Sequence, residues 1–438
     1  MESRGKSLKP TRLRGTRAPE QLLVSRMGRA GAARGDVSLG TESKKGMVMR
    51  VIAEDETRSP TEFHCALCDV LLTPENNSRE HLVPNGIGGQ KAVRNVFCKT
   101  CNNRTGSAWD ADLTKQLNPL NLLFAIKRDR GNVQAQDFTT VSGQQVRVHP
   151  EGHLTFLPQE PVCTQTEEGL RVQTRVGTMG EAKTFLSGMK RRYPKLDIEE
   201  QMRNLKMDRI YLNDPIFTQL SPGGPAAGRS FVKSAYTLAV ASGVPPKICV
   251  EARAYLLAED GVPCFDYFYK RDLVTNRSQE RVFHCVAVQG DPATGQLIGY
   301  VELYSAWRMV ICLSSQYTGH AFESSYAVDP STGEEVALSF DLKFSREELR
   351  AACDSQDDYS GELLKALNAM MSIGYPASLA RERERVLLRA VATAMERLGI
   401  GSGDCLQPEQ VPEFSRIVSE EMTPCILHQM SIAHGRVV

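Results

Sequence analysis

The chain has 438 residues, 41% hydrophobic and 24% charged, which is near the globular average and longer than one typical domain. No run approaches the roughly 18 apolar residues of a membrane helix, and the Arg-rich start lacks the apolar core and cleavage site of a secretory signal. These features exclude membrane-spanning and secreted classes and set the expectation of a cytoplasmic protein.

The net charge of +1 hides an asymmetry: residues 1–50 carry +8 and the remainder −7. Residues 1–58 are rich in Arg, Gly and Ala with little to bury, so they read as a basic, disordered arm. Such an arm suits phosphate backbones found by charge alone. The plainer readings are an unstructured leader or upstream codons, since Met27 and Met47 can each begin a chain.

An α+β architecture is expected beyond the arm. It comprises a small module over 59–117, a larger mixed α/β domain over 118–344 and a helical region over 345–438. Within the module a strand, turn, strand and helix follow one another. The middle region offers strands over 146–148 and 170–176, then helices over 179–189 and 198–205. Residues 223–230, Gly-Gly-Pro-Ala-Ala-Gly-Arg-Ser, mimic a phosphate-binding loop. Arginine stands where lysine belongs and Pro225 removes a needed N–H, so a loop and cap before the next helix is the better reading. Helices over 230–241 and 248–258 come next. Strands over 283–288, 297–303 and 309–313 follow, the first two joined by turn chemistry at 291–295. After Ser345 leucines and methionines recur at helical spacing, and Gly374 and Gly399 are expected to end helices.

Four of the 12 cysteines form two Cys-x-x-Cys pairs, Cys65/Cys68 and Cys98/Cys101, while the other eight are scattered singly. A two-residue gap lets both thiolates of a knuckle point at one ion, and four of them satisfy tetrahedral zinc. The 29 residues between Cys68 and Cys98 exceed what a simple zinc ribbon needs, so a functional insert lies between the knuckles. That insert holds Glu80-His81, Pro84, Gly88-Gly89 and Asn95, and Asn102-Asn103 follows the second knuckle directly.

This order of motifs resembles the zinc-containing branch of the HNH endonuclease family, over about 55 of the 438 residues; Gly106 and Asp110 fit that branch too. The resemblance implies a ββα-metal module stapled by structural zinc on Cys65, Cys68, Cys98 and Cys101. It implies that His81 is the general base and that Glu80 and Asn102 hold a catalytic divalent metal such as Mg²⁺. Asn95 would hold the His81 ring or shape the turn, and its spacing to the knuckle is shorter than the family's commonest. Asn103 would exchange with Asn102 if the helix started one residue later; for both, capping that helix is the plain alternative. The implied function is hydrolysis of phosphodiester bonds in nucleic acid, with DNA ahead of RNA. A non-catalytic zinc module that binds nucleic acid or protein is the rival reading.

Two basic clusters, Lys127/Arg128/Arg130 and Lys190/Arg191/Arg192, are either phosphate-tracking groups or solvated faces. The remaining histidines, His64, His149, His153, His284, His320, His428 and His434, show no metal spacing among themselves.

Overall fold

A computed structural model describes residues 62–433 except 168, 207–209, 213, 221, 355–357 and 402. The basic arm over 1–58 and His434 therefore lie outside the described residues.

The first described region is a small mixed α/β unit. Strand β1 (Glu80–His81) pairs antiparallel with β2 (Ala92–Val93), placing Glu80 opposite Val93 and His81 opposite Ala92. The connection passes through Pro84, a short 3₁₀ turn at Asn85–Ile87, and Gly88-Gly89. Gly88 has φ +100, and a Cβ on Gly89 would lie 1.8 Å from the Val83 carbonyl oxygen. Both positions thus need glycine, one for conformation and one for clearance. Helix α1 (Lys99–Thr105) starts at the second knuckle and runs through a π-helical turn at Gly106–Asp110 into α2 (Ala111–Phe124).

Short antiparallel strands follow. β3 (Gln136–Thr140), β4 (Gln145–Val148) and β5 (Leu154–Phe156) form a meander, and β6 (Val162–Thr166) pairs with β7 (Gly169–Gln173) as a separate hairpin. Helices α3 (Met179–Arg192) and α4 (Ile198–Arg203) come next, and β8 (Ile216–Phe217) returns to the free edge of β3.

Helix α5 (Gly224–Ala241) is the hub of the molecule. It contacts α2 and the π turn on one side and the large sheet on the other. It begins six residues before the expected start, so the stretch resembling a phosphate loop is helical. Arg229 there is buried, with its guanidinium donating to the carbonyls of Ala258 and Glu259. Beyond α6 (Val250–Leu257) and β9 (Phe265–Tyr267) lie β10 (His284–Asp291), β11 (Gln296–Leu303), β12 (Trp307–Ser314) and β13 (Phe322–Val328). They form one antiparallel sheet in the order β13-β10-β11-β12-β9, and the turn over 291–295 closes the β10–β11 hairpin as expected.

Alternation sorts the side chains of this sheet. Val286, Val288, Val301 and Met309 join the core that includes α5, while Cys285, Ala287, Tyr300 and Val310 join a second core. Leu349 and Ala352 of α7 (Arg346–Cys353) cover that second face. The first core runs without interruption from Cys65 and Phe97 through Tyr236 to Tyr304 and Met370.

Two long helices finish the chain, α8 (Ser360–Arg397) and α9 (Val411–Ala433). Gly399, with φ +66, follows the end of α8 as expected, but Gly374 lies inside that helix. A Cβ at Gly374 would come 2.6 Å from the Phe124 ring, so the glycine provides clearance for a neighbouring aromatic and ends nothing. Among the described residues no helix is long and apolar enough to cross a membrane.

Candidate metal centre and active site

The four cysteines converge. Their sulfur atoms lie within 4.8 Å of one another, and the Cys68 and Cys98 Sγ atoms are 3.7 Å apart. A tetrahedral zinc with 2.3 Å bonds has sulfur–sulfur edges of about 3.8 Å, so the donor set fits such an ion. Local backbone explains the convergence. Asp69, at φ +62, turns the first knuckle so that its N–H reaches the Cys65 carbonyl. In the second knuckle Cys98 occupies the N-cap of α1, and its sulfur accepts from the Cys101 N–H at 3.4 Å. The Ala66 N–H donates to the Val96 carbonyl and ties one knuckle to the other. Burial and the adjoining thiols push the Cys101 thiol well up, as expected of a site that would hold thiolates only beside a cation.

None of the four cysteines lines a separate cavity of about 670 Å³, to whose wall Glu80, His81, Asn102, Gly106 and Asp110 all contribute. The π turn accounts for the last three sharing a side. Eight residues of ideal α-helix overshoot two full turns by roughly 80°, and widening one turn to i→i+5 takes most of that back.

His81 is 8% exposed, and its Nε2 lies 3.1 Å from Asp129 Oδ2. That contact occupies Nε2 and leaves Nδ1 without a protein partner among the described residues. Burial pulls the His81 imidazole below its usual value, with Asp129 pulling the other way. Burial thus favours the neutral form of the ring, the form that can accept a proton.

Glu80 is 4% exposed, and its Oε1 sits 2.7 Å from Nζ of Lys233, on α5. The same ammonium lies 2.5 Å from Asp110 Oδ2, and the Ser230 hydroxyl donates to Asp110 Oδ1 at 2.6 Å. Burial pushes the Glu80 carboxyl up against the pull of Lys233. Burial opposes the charge on Lys233 too, but Asp110 and Glu80 hold its ammonium above the ordinary range.

Asn102 donates its Nδ2 to the Arg79 carbonyl at 2.9 Å, which turns its Oδ1 away from that bond. Asn103 is exposed and is not part of the cavity wall. Asn95 sits at φ +64 and exchanges two hydrogen bonds with Asn77, of 2.5 and 3.1 Å; it too stays off the wall. Four cations, Arg79, Lys115, Arg128 and Arg130, line the cavity. Arg128 spends Nη1 on the Asn132 carbonyl, while its buried Nε and Nη2 have no acceptor.

Residues 65–118 match a family model described as HNH endonuclease. No curated protein and no solved structure matches the chain. The match and a four-cysteine cluster able to coordinate a metal ion are consistent with an HNH-like module, joined to larger β-sheet and helical regions.

Sequence reasoning missed two groups in contact with this site. Asp129 sits inside the Lys127–Arg130 basic run, where a lone acid was the available signal. Lys233 is the one charged residue between Ser230 and Ala241, among apolar neighbours. The spacing of His149 and His153 also carried no metal signal. The tight β4–β5 turn nevertheless brings His149, Glu151 and His153 within 4.8 Å of one another by their ligand atoms.

Proposed function

We propose that the chain is a metal-dependent HNH-type endonuclease that hydrolyses phosphodiester bonds, with DNA ahead of RNA as substrate. The observation that carries this reading is one cavity lined by the buried His81 imidazole, the Glu80 carboxyl, the Asn102 amide and four basic side chains. A purely structural zinc module needs none of these. The module over 59–117 is taken as a ββα-metal unit and the four cysteines as its structural zinc site. The basic arm, where present, adds charge-driven affinity for nucleic acid.

His81 acts as general base. Asp129 fixes its Nε2–H, and Nδ1 takes a proton from water. The resulting hydroxide attacks phosphorus, the P–O3′ bond breaks, and the leaving oxygen is protonated from solvent. The products are a 5′-phosphate and a 3′-hydroxyl. Arg128 and Arg130 hold phosphate oxygens against the wall. Glu80 and the Asn102 amide oxygen are hard donors suited to Mg²⁺. Such an ion supplies charge neutralisation at the phosphate and the leaving oxygen. Asn95 is assigned to shaping the turn before the knuckle and Asn103 to the solvent side of α1.

The test is purified protein with Mg²⁺ on supercoiled plasmid and on single- and double-stranded RNA, with EDTA as control. Metal-dependent nicking of plasmid supports the proposal. Cleavage of RNA alone transfers it to RNA, and binding without cleavage under several metals favours the non-catalytic zinc module.

A further inference from the structure

We infer that the catalytic site is composite, with Lys233 of α5 acting as a positioning residue that holds Glu80 in place for the catalytic metal. The assignment rests on the nuclease reading of the same cavity.

Lys233 is 1% exposed and does not itself line the cavity, whereas both carboxylates it touches do. It therefore approaches Glu80 and Asp110 from within the protein. An ammonium buried this deeply is costly unless paired and hydrogen-bonded, and a single carboxylate would be enough to neutralise it. Here it has two. Asp110 is thus a second partner for the ammonium, which bridges it to Glu80 with contacts of 2.5 and 2.7 Å.

The geometry supports a division of labour. Both Asp110 oxygens are bonded to α5, one to the Ser230 hydroxyl and one to Lys233. Ser230 and Lys233 stand three residues apart and so share a face of that helix. Their partners come from different elements: Glu80 from β1 and Asp110 from the π turn. One helix from outside the matched segment therefore fixes the distance between two walls of the cavity. By this account residues 65–118 hold the general base and the metal donors but not all of their alignment.

The experiment uses the full chain and compares wild type with Lys233→Met, Glu80→Gln and the double variant. Cleavage is followed over a range of Mg²⁺, and zinc content serves as the check on folding. Lys233→Met is expected to keep its zinc and lose about 100-fold in kcat, the scale of a misplaced catalytic group. Its KM for DNA should stay within about threefold of wild type, and in the Glu80→Gln background the same change should cost less than about threefold. A lysine that merely stabilised the fold would cost the same in both backgrounds. Should Lys233→Met fail to retain zinc, Lys233→Gln takes its place under the same criteria. A zinc-loaded variant that cleaves like wild type overturns the inference, as do additive losses. If wild type cleaves neither DNA nor RNA, the nuclease reading falls and this inference with it; if wild type cleaves and the lysine variants do too, only this inference falls.

Discussion

His81 illustrates how much a single side chain depends on its surroundings. Its strand is two residues long, so the pairing of β1 with β2 alone holds it loosely, and the 3.1 Å contact to Asp129 fixes the ring. The contact also decides the tautomer, with the proton on Nε2 and the lone pair on Nδ1. Asn in place of Asp129 keeps a hydrogen-bonding group but loses the charge that supports a developing imidazolium. Asp129→Asn should therefore lower kcat by about tenfold or more with little change in stability, because Asp129 is partly solvated. Single-turnover cleavage beside a thermal melt checks this; an unchanged rate would remove Asp129 from the mechanism. The two asparagines that follow the second knuckle diverge in the same way. Asn102 meets the cavity while its neighbour Asn103 faces solvent, a distinction that helix phase makes and composition does not.

At the level of elements, the knuckles are where the sequence was most informative. Cys-x-x-Cys spacing depends only on local backbone, so both turns and the convergence of four sulfurs could be expected. The Gly88-Gly89 turn and the β10–β11 hairpin were legible for the same reason. Gly374 was misread because a glycine inside a helix looks like a terminator until its neighbour is known, and that neighbour, Phe124, lies far away in sequence. The extra turn at the start of α5 was hidden by the Gly-Gly-Pro run, although proline is tolerated in the first turn of a helix. Asp129 and Lys233 were invisible to local pattern, since they meet the site across 48 and 123 residues of chain, at His81 and Asp110 respectively. Zinc is the test of the element that was read best. Elemental analysis should find one zinc per chain. Cys98→Ser should lose it and melt the module, because zinc bound by such thiolates supplies on the order of 10 kcal/mol to the folding of its own site. Well-folded wild-type protein without zinc would contradict the assignment.

Across the whole molecule, the module and the large sheet are joined by polar groups buried in a shared core. His284 of β10 is fully buried, donates from Nε2 to the Ile87 carbonyl at 2.8 Å and accepts the Tyr304 N–H on Nδ1 at 3.0 Å. Tyr304 in turn donates to Asn121, which donates to the Gly86 carbonyl. The turn that follows His81 is thus anchored on the sheet. Both His284 nitrogens are committed to a neutral ring, and burial lowers its pKa to about 3. The unfolded chain takes up this proton near pH 6.5 while the folded one does so only near 3. Stability from this group is therefore complete above pH 6.5 and lost as pH falls toward 3. Between pH 6.5 and 5 the loss should reach about 2 kcal/mol. Denaturant titrations at the two pH values should show a drop larger in wild type than in His284→Gln by about that amount. Equal drops would mean that the ring is protonated without breaking the anchor.

The claim on which the rest depends is that His81 is the base that activates water. The most direct measurement is the rate of Mg²⁺-dependent plasmid nicking by zinc-loaded His81→Ala beside wild type. The account predicts intact zinc, intact folding and a rate lower by about 100-fold to 10,000-fold. A zinc-loaded His81→Ala protein that nicks at the wild-type rate would contradict it.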